Sequence, residues 1–394
     1  MKKTLAILLA AVMVLTLFAG CGNKDDQANV IKIGVFEPAS GDNGAGGKQE
    51  TLGIQYAHSV APTVEIGGVT YDIQLEIVDN ESSNDKAATA ANTLINAGCS
   101  IVLGSYGSGV SIAASDIFGN AQIPVIGITC TNPQVTEGNE HYFRICFLDP
   151  FQGTVLANFA KEELGVTKAY CLAKMGDDYS TGLVNYFKEA FEGLGGTVVS
   201  QTFPDGTSDF TSYITTAQNE GCGVFFSPVS TEAAANIVEQ ANAQGMTMPI
   251  LAGDTWDSNV VLQAAEGTAN NIYITTFFDE GDTAQAAVDF VSGCKTYING
   301  NAEAKTNNNG DDTIAAVTAM GYDAYFVALE ALKAAADPTD PVAINEVLWD
   351  VNYNGVTGNI QFDEIGDAIR NVAYIKKVNT TDAVWEFVAV QSVQ

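Results

Sequence analysis

The residues best placed to do chemistry in this 394-residue chain lie where apolar runs give way to amphipathic ones. Gly104-Ser105-Tyr106-Gly107-Ser108 follows the run Ile101–Leu103 and opens a helical pattern. Free N–H groups at a helix start, with the Ser108 hydroxyl, suit a single carboxylate. Thr129-Cys130-Thr131-Asn132-Pro133 follows Pro124–Ile128, and its carbonyls and the Thr129 and Thr131 hydroxyls offer hydrogen bonds of both signs. Tyr179 in Gly176-Asp177-Asp178-Tyr179-Ser180 and Asp254 in Gly253-Asp254-Thr255-Trp256 occupy equivalent places after later strands. An anion-binding end, an acceptor cluster with a carboxylate, and an aromatic face that attracts ammonium describe a zwitterion site. Each residue has a plainer job: Ser108 as an N-cap, Thr131 starting a turn, Asp254 capping a helix near Asp257, Tyr179 filling core. Their shared position at strand-to-helix junctions favours the site.

Other chemistries are poorly served. Ser40–Gln49 (SGDNGAGGKQ) follows a strand as a phosphate loop does, but a lysine at Lys48 requires glycine at Asp42 and Ser or Thr at Gln49. His58 and His141, the only histidines, read as surface residues, and no G-x-S-x-G occurs. No catalytic residue, metal set or cofactor motif is expected, and the chain reads as a non-enzyme. With 47 acidic against 17 basic residues, net charge −30 and a pI near 4.1, it lacks the basic footprint of a nucleic-acid binder. Cys99, Cys130, Cys146, Cys171, Cys222 and Cys294 show no metal-type spacing. Buried free thiols are expected, with one or two bridges left open by the spacing.

These loops need a scaffold of alternating strands and helices. Strands are predicted over Ile31–Phe36, Tyr71–Val78, Ile101–Gly104 and Pro124–Ile128, with helices over Gly47–Val60, Asn84–Ala97 and Ser108–Gly119 between them. A second set has strands near Lys168–Leu172, Thr197–Thr202, Gly223–Phe226 and Ile250–Ala252. Its helices run over Phe151–Leu164, Thr181–Leu194, Asp209–Asn219 and Thr231–Gln244. Such alternation makes an α/β protein with two doubly wound parallel-sheet lobes. The C-terminal part breaks a simple in-line division. A strand, Ile272–Phe277, leads into helices over Thr283–Asn299, Asp312–Ala336 and Pro341–Val351, and then into β-rich runs at Ile360–Asp363, Val372–Val378 and Val384–Val390. Asn299–Asp312 reads as a solvated polar loop.

At the N-terminus, Lys2 and Lys3 precede an apolar run shorter than the roughly 20 residues of a membrane span. Residues 1–20 therefore read as a signal peptide. Leu17-Phe18-Ala19-Gly20-Cys21 resembles a bacterial lipobox, implying lipidation of Cys21, with residues 21–29 as a flexible tether.

From Ile31 onward the chain resembles the branched-chain-amino-acid type of solute-binding protein, which has the type I periplasmic binding protein fold and serves ABC importers. The resemblance rests on Ile33-Gly34-Val35 with Ser40-Gly41, Ser115-Asp116-Ile117, Ile123-Pro124-Val125, Thr131-Asn132-Pro133 and Asp178-Tyr179 with Gly182. It extends through Tyr322-Asp323-Ala324, Gly355-Val356-Thr357-Gly358, Phe362-Asp363 and Gly366-Asp367. It implies two lobes joined by three crossover segments, near Leu148–Gln152, Thr275–Phe278 and Asn354–Thr357. Lobe 1 then comprises 30–148 plus 277–354, and lobe 2 comprises 149–276 plus 355–394. It also implies capture of an amino acid and delivery to an ABC permease by a protein lipid-anchored outside the cytoplasmic membrane. A sensing ectodomain, or a binder of an amide, short peptide or other small polar solute, is the alternative.

Carried over by position, Ser108 and Thr131 hold the ligand carboxylate, and the Thr129 carbonyl and Thr131 hydroxyl meet its ammonium. Asp254 or its neighbour Thr255 supplies the remaining amine contact, Tyr179 closes from the second lobe, and Tyr106 belongs to the Ser108 loop. Two departures stand out. The aromatic that packs on the ligand side chain falls at Gly46, which implies an enlarged pocket. The first-lobe cysteine of bridged members falls at Gly107, so that bridge cannot form.

Overall fold

A computed structural model describes residues 29–392, so the expected signal peptide, Cys21 and most of the tether lie outside the described residues. Six strands form the first sheet: β1 (Val30–Glu37), β2 (Thr63–Ile66), β3 (Val69–Asp79), β4 (Ile101–Leu103), β5 (Val125–Gly127) and β6 (Tyr142–Arg144). Their order is β2-β3-β1-β4-β5-β6, parallel except for β2. The second sheet contains β7 (Lys168–Lys174), β8 (Thr197–Phe203), β9 (Val224–Phe226), β10 (Ile250–Ala252) and β11 (Ile272–Thr276). Between them β12 (Asn352–Gly355) and β13 (Gly358–Gln361) form a separate ribbon. β14 (Val372–Asn379) and β15 (Val384–Ser392) extend the second sheet in the order β15-β14-β11-β10-β9-β7-β8. The tail thus adds antiparallel strands to an existing parallel sheet.

The central strands read as near-continuous apolar runs because helices cover both faces. Ile31, Ile33, Val35, Ile101 and Leu103 are fully buried, as are Tyr170, Leu172, Phe225 and Ile250 in the second lobe. Four helices matter most to the site. α1 (Gly44–Val60) follows β1, α2 (Ser108–Asn120) follows β4, α3 (Asp178–Gly193) follows β7, and α4 (Ala316–Ala334) returns to pack on α1. α1 and α4 meet backbone to backbone. A Cβ on Gly53 would lie 1.9 Å from the Thr318 carbonyl oxygen, and one on Gly321 would lie 2.2 Å from that of Glu50. Those two glycines set the depth at which α1 carries Gln49 and Glu50 into the lobe.

Some sequence expectations are corrected. The stretch Asn299–Asp312 is not a solvated loop throughout, for it contains the helix Ala302–Asn307. Asn301 caps that helix through bonds from the N–H groups of Glu303 and Ala304. Asn308 is fully buried, accepting from Gln49 Nε2 at 3.1 Å and donating to the Asp311 and Thr313 carbonyls. Its polar atoms are all paired, which is what allows so polar a segment inside. His58 is half-buried against the Ile73 carbonyl at 2.9 Å rather than on the surface. The division expected between 354 and 355 falls inside the β12–β13 ribbon. Asp323 on α4 accepts from the N–H groups of Val356 and Thr357 and from the Thr357 hydroxyl, so that turn stays with α4. The chain rejoins the second sheet only after Gln361. All six described cysteines are buried free thiols.

Candidate functional site

Strand order alone locates a cleft. In the first sheet the chain runs to opposite sides of β1 and β4, and in the second to opposite sides of β7 and β9. At such reversals the loops after the strands part and leave a crevice. The ends of β1, β4, β7 and β9 and the segments that follow them supply Asp42 and Asn43, Tyr106 to Ser108, Lys174 and Asp177, and Ser230. Together with Ser82, Tyr179 and Thr255 they enclose a cavity of about 50 Å³ between the lobes.

The first-lobe wall is built on α2. Ser108 opens that helix at the cavity wall, and its Oγ accepts from Asn132 N at 3.3 Å. The Thr129–Asn132 loop is held from behind by the fully buried Arg144. Its Nη1 donates to the Cys130 carbonyl at 3.0 Å and to the Asn132 carbonyl. Its Nε and Nη2 pair with Asp367 at 2.5 and 3.1 Å. Thr131 is fully buried and its hydroxyl has no partner. Thr129 Oγ1 donates to Glu50 Oε2 at 2.6 Å.

Beneath this wall lie two buried acids that sequence reading missed. Glu37 accepts from the Tyr106 N–H at 2.7 Å and thereby fixes that loop. Burial, with the nearby Glu50 charge, pushes Glu37 well above the usual carboxylate range. Burial likewise pushes Glu50 up to about 8. The signal was weak: Glu37 ends a mostly apolar strand, and Glu50 lies on the buried face of α1 with Leu52 and Ile54.

The second-lobe wall turns on Asp254, 1% exposed. Its Oδ1 accepts from the Tyr179 hydroxyl at 2.9 Å and from Gln152 Nε2 at 2.8 Å. Burial raises its pKa to about 6 against the lowering effect of those two donors. The Tyr179 hydroxyl fits because residue 253 is glycine, where a Cβ would lie 2.3 Å from it. Thr255 faces the cavity, its Oγ1 bound to the Val229 carbonyl at 3.1 Å. Of the residues singled out from sequence, Tyr106, Ser108, Tyr179 and Thr255 line the cavity, while Thr129, Thr131 and Asp254 lie buried behind them. Asp149, also missed, is fully buried with both oxygens unpartnered, and burial pushes it well above the usual range.

The enlarged pocket expected from Gly46 is not found. A Cβ at Gly46 would meet Tyr106 Cζ at 2.4 Å, so the tyrosine ring from the neighbouring loop occupies that hollow. From there its hydroxyl crosses the cleft to the Thr255 carbonyl at 3.0 Å. A second bridge joins Lys174 Nζ to Asp42 Oδ2 at 2.5 Å, and a third joins Asn132 Nδ2 to the Asp178 carbonyl at 2.9 Å. The lobes are therefore closed on one another. Donors at the α2 start on one side thus face carboxylate, hydroxyl and aromatic groups on the other.

Comparison with known proteins agrees with this geometry. A leucine-binding protein, LivK, from Thermotoga maritima superimposes with a TM-score of 0.80 at 32% identity, covering 92% of this chain and 99% of that one. A LivJ substrate-binding protein from Streptococcus pneumoniae, solved with isoleucine, gives 0.79 at 26% identity, again over 92% and 99%. A Leu/Ile/Val-binding protein homolog from Brucella suis is 28% identical over 382 residues, 93% of this chain and 94% of its own. The periplasmic binding protein family model matches residues 30–383. Facing switch points, a closed polar cleft and a match that spans both sheets lead to one conclusion: this chain belongs to the periplasmic binding protein family.

Proposed function

We propose that this protein is the extracytoplasmic solute-binding component of an ABC importer, capturing an amino acid or similar small zwitterion between its lobes. The observation that carries this reading is the meeting of Ser108, at the start of α2, with Tyr179 and Thr255 across one cavity. A carboxylate at α2 gains N–H donors and the helix dipole. An ammonium at the Tyr179–Thr255 end gains those hydroxyls and the Asp254 charge behind them. A ligand bound by both lobes stabilises the closed form because it contacts more groups there than in the open one. Cys21 would tether the protein to the membrane through lipid and present the loaded lobes to the permease.

A thermal-shift screen over the twenty amino acids, followed by calorimetry, tests this reading, since a ligand that binds the folded state raises Tm by mass action. One-to-one binding by at least one amino acid is expected. Mass spectrometry of the mature N-terminus tests the anchor: a diacylglyceryl group on Cys21 is expected.

A further inference from the structure

We infer that the site selects an amino acid with a short, uncharged, hydrogen-bonding side chain, a hydroxyl or carboxamide, and discriminates against branched aliphatic ones. This rests on the amino-acid reading above. With carboxylate and ammonium assigned to the Ser108 and Tyr179–Thr255 ends, the ligand side chain meets what remains of the cavity wall. Besides Tyr106 and Gly107 of the Ser108 loop, that remainder is Asp42, Asn43, Ser82, Lys174, Asp177 and Ser230, all six of them polar or charged.

Three features refine the class. The hollow beside Gly46, where an apolar side chain would find cover, is filled by the Tyr106 ring, and Tyr106 is anchored at both its N–H and its hydroxyl. Burying a branched aliphatic group against this polar wall would strip water from the wall and return no hydrogen bonds. The one ammonium on the wall is already ion-paired, and Asp177 is engaged as a helix cap. Lys174 pairs with Asp42 at 2.5 Å and Asp205 at 2.7 Å, and Asp177 accepts from Ser180 N at 2.8 Å. An acidic side chain would face Asp42 and Asp177, and a basic one would have to displace Lys174 from Asp42 to gain a carboxylate already engaged. The unpaired group is neutral: Asn43 Oδ1 is buried without a hydrogen-bond partner and calls for a donor. The cavity of about 50 Å³ favours the smaller members of the class.

Calorimetric titration of the wild-type protein with L-serine, L-threonine, L-asparagine and L-glutamine, against L-leucine, L-isoleucine, L-valine, L-glutamate and L-lysine, tests the inference. The expected result is a best hydroxyl or carboxamide ligand at least ten-fold tighter than any of the other five. An aliphatic or charged ligand binding as tightly would overturn the selectivity while leaving amino-acid capture standing. No binding by any of the nine or by the remaining amino acids would overturn capture itself, and the selectivity with it. Asn43→Ala is expected to weaken the best polar ligand at least five-fold more than it weakens leucine. Equal loss for both would contradict the role given to Asn43. Tyr106→Ala is expected to raise leucine affinity relative to threonine, and an unchanged ratio would contradict the role given to the ring.

Discussion

The Tyr106 hydroxyl donates to the Thr255 carbonyl across 3.0 Å, so a loop of the first lobe is tied to the second lobe at the very wall where the ligand is proposed to bind. Both residues are buried, and the same tyrosine fills the space left by Gly46. One side chain therefore shapes the cavity and helps to hold it shut.

Removing that bridge alone should loosen closure. A neutral hydrogen bond contributes about 0.5–1.5 kcal/mol net. Tyr106→Phe, which keeps the ring beside Gly46, should shift the ligand-free protein toward the open form. Small-angle scattering should show an increased radius of gyration for the variant; identical curves would mean that closure does not depend on this bond.

The Gly46–Tyr106 fit can be tested by crowding it. Gly46→Ala places a methyl 2.4 Å from the ring and should cost about 1–3 kcal/mol of stability as an overpacked contact. Tyr106→Ala should relieve most of that cost in the double variant, because contacting residues couple. Urea denaturation of the four-protein cycle measures the coupling.

Much of this scaffold is legible in the sequence, and the reasons are physical. The strand Ile250–Ala252, a short wholly apolar run, and the helix Asn84–Ala97, an amphipathic pattern, are both found where the local sequence places them. Strand β6 is not legible, because three residues ending in a buried arginine carry no period. Ser108 and Tyr179 are legible as cavity-lining residues because they lie at helix starts after buried strands. Asn43, Lys174 and Glu50 are not, since what matters about each is a partner 39 to 132 residues away in the chain: Ser82, Asp42 and Thr129. Gly46 misleads for the same reason, as its hollow is filled by a side chain from another loop.

Arg144 should be a stability determinant as well as a support for the Thr129–Asn132 loop. Losing one partner of a buried ion pair costs about 3–5 kcal/mol, because the other charge is left stranded. Arg144→Leu should lower the midpoint of chemical denaturation accordingly, and Asp367→Asn should do so less, since an amide oxygen still accepts. A change under about 1 kcal/mol in Arg144→Leu would contradict the reading of this pair.

Glu50 should impose a pH slope on stability. Its folded pKa, about 8, exceeds the unfolded value near 4.5, so its contribution is fully present below pH 4.5 and is lost as pH rises toward 8. Glu50→Gln removes the ionisation, and the variant should gain on the wild type steadily from pH 5 to pH 8. Denaturation curves at pH 5, 6.5 and 8 check the sign; parallel behaviour of the two proteins would show that Glu50 ionises freely.

Asp254 should make capture pH-dependent in the opposite sense. Its carboxyl titrates near 6 in the ligand-free protein, and an ammonium beside it favours the anion. Binding at pH 5.5 should therefore release protons, and affinity should fall as pH drops below 6. Calorimetry in buffers of different ionisation enthalpy measures the release. Asp254→Asn should abolish it and lose about ten- to a hundred-fold in affinity, the equivalent of about 1.5–3 kcal/mol for a charge-assisted bond.

The most direct measurement is a crystal structure of the protein with its tightest amino acid. It should show the ligand carboxylate on the N–H groups and hydroxyl of Ser108, the ammonium toward Tyr179, Thr255 and Asp254, and the side chain among Asn43, Ser82 and Lys174. A ligand bound outside the cleft, or reversed so that its ammonium faces Ser108, would contradict the account.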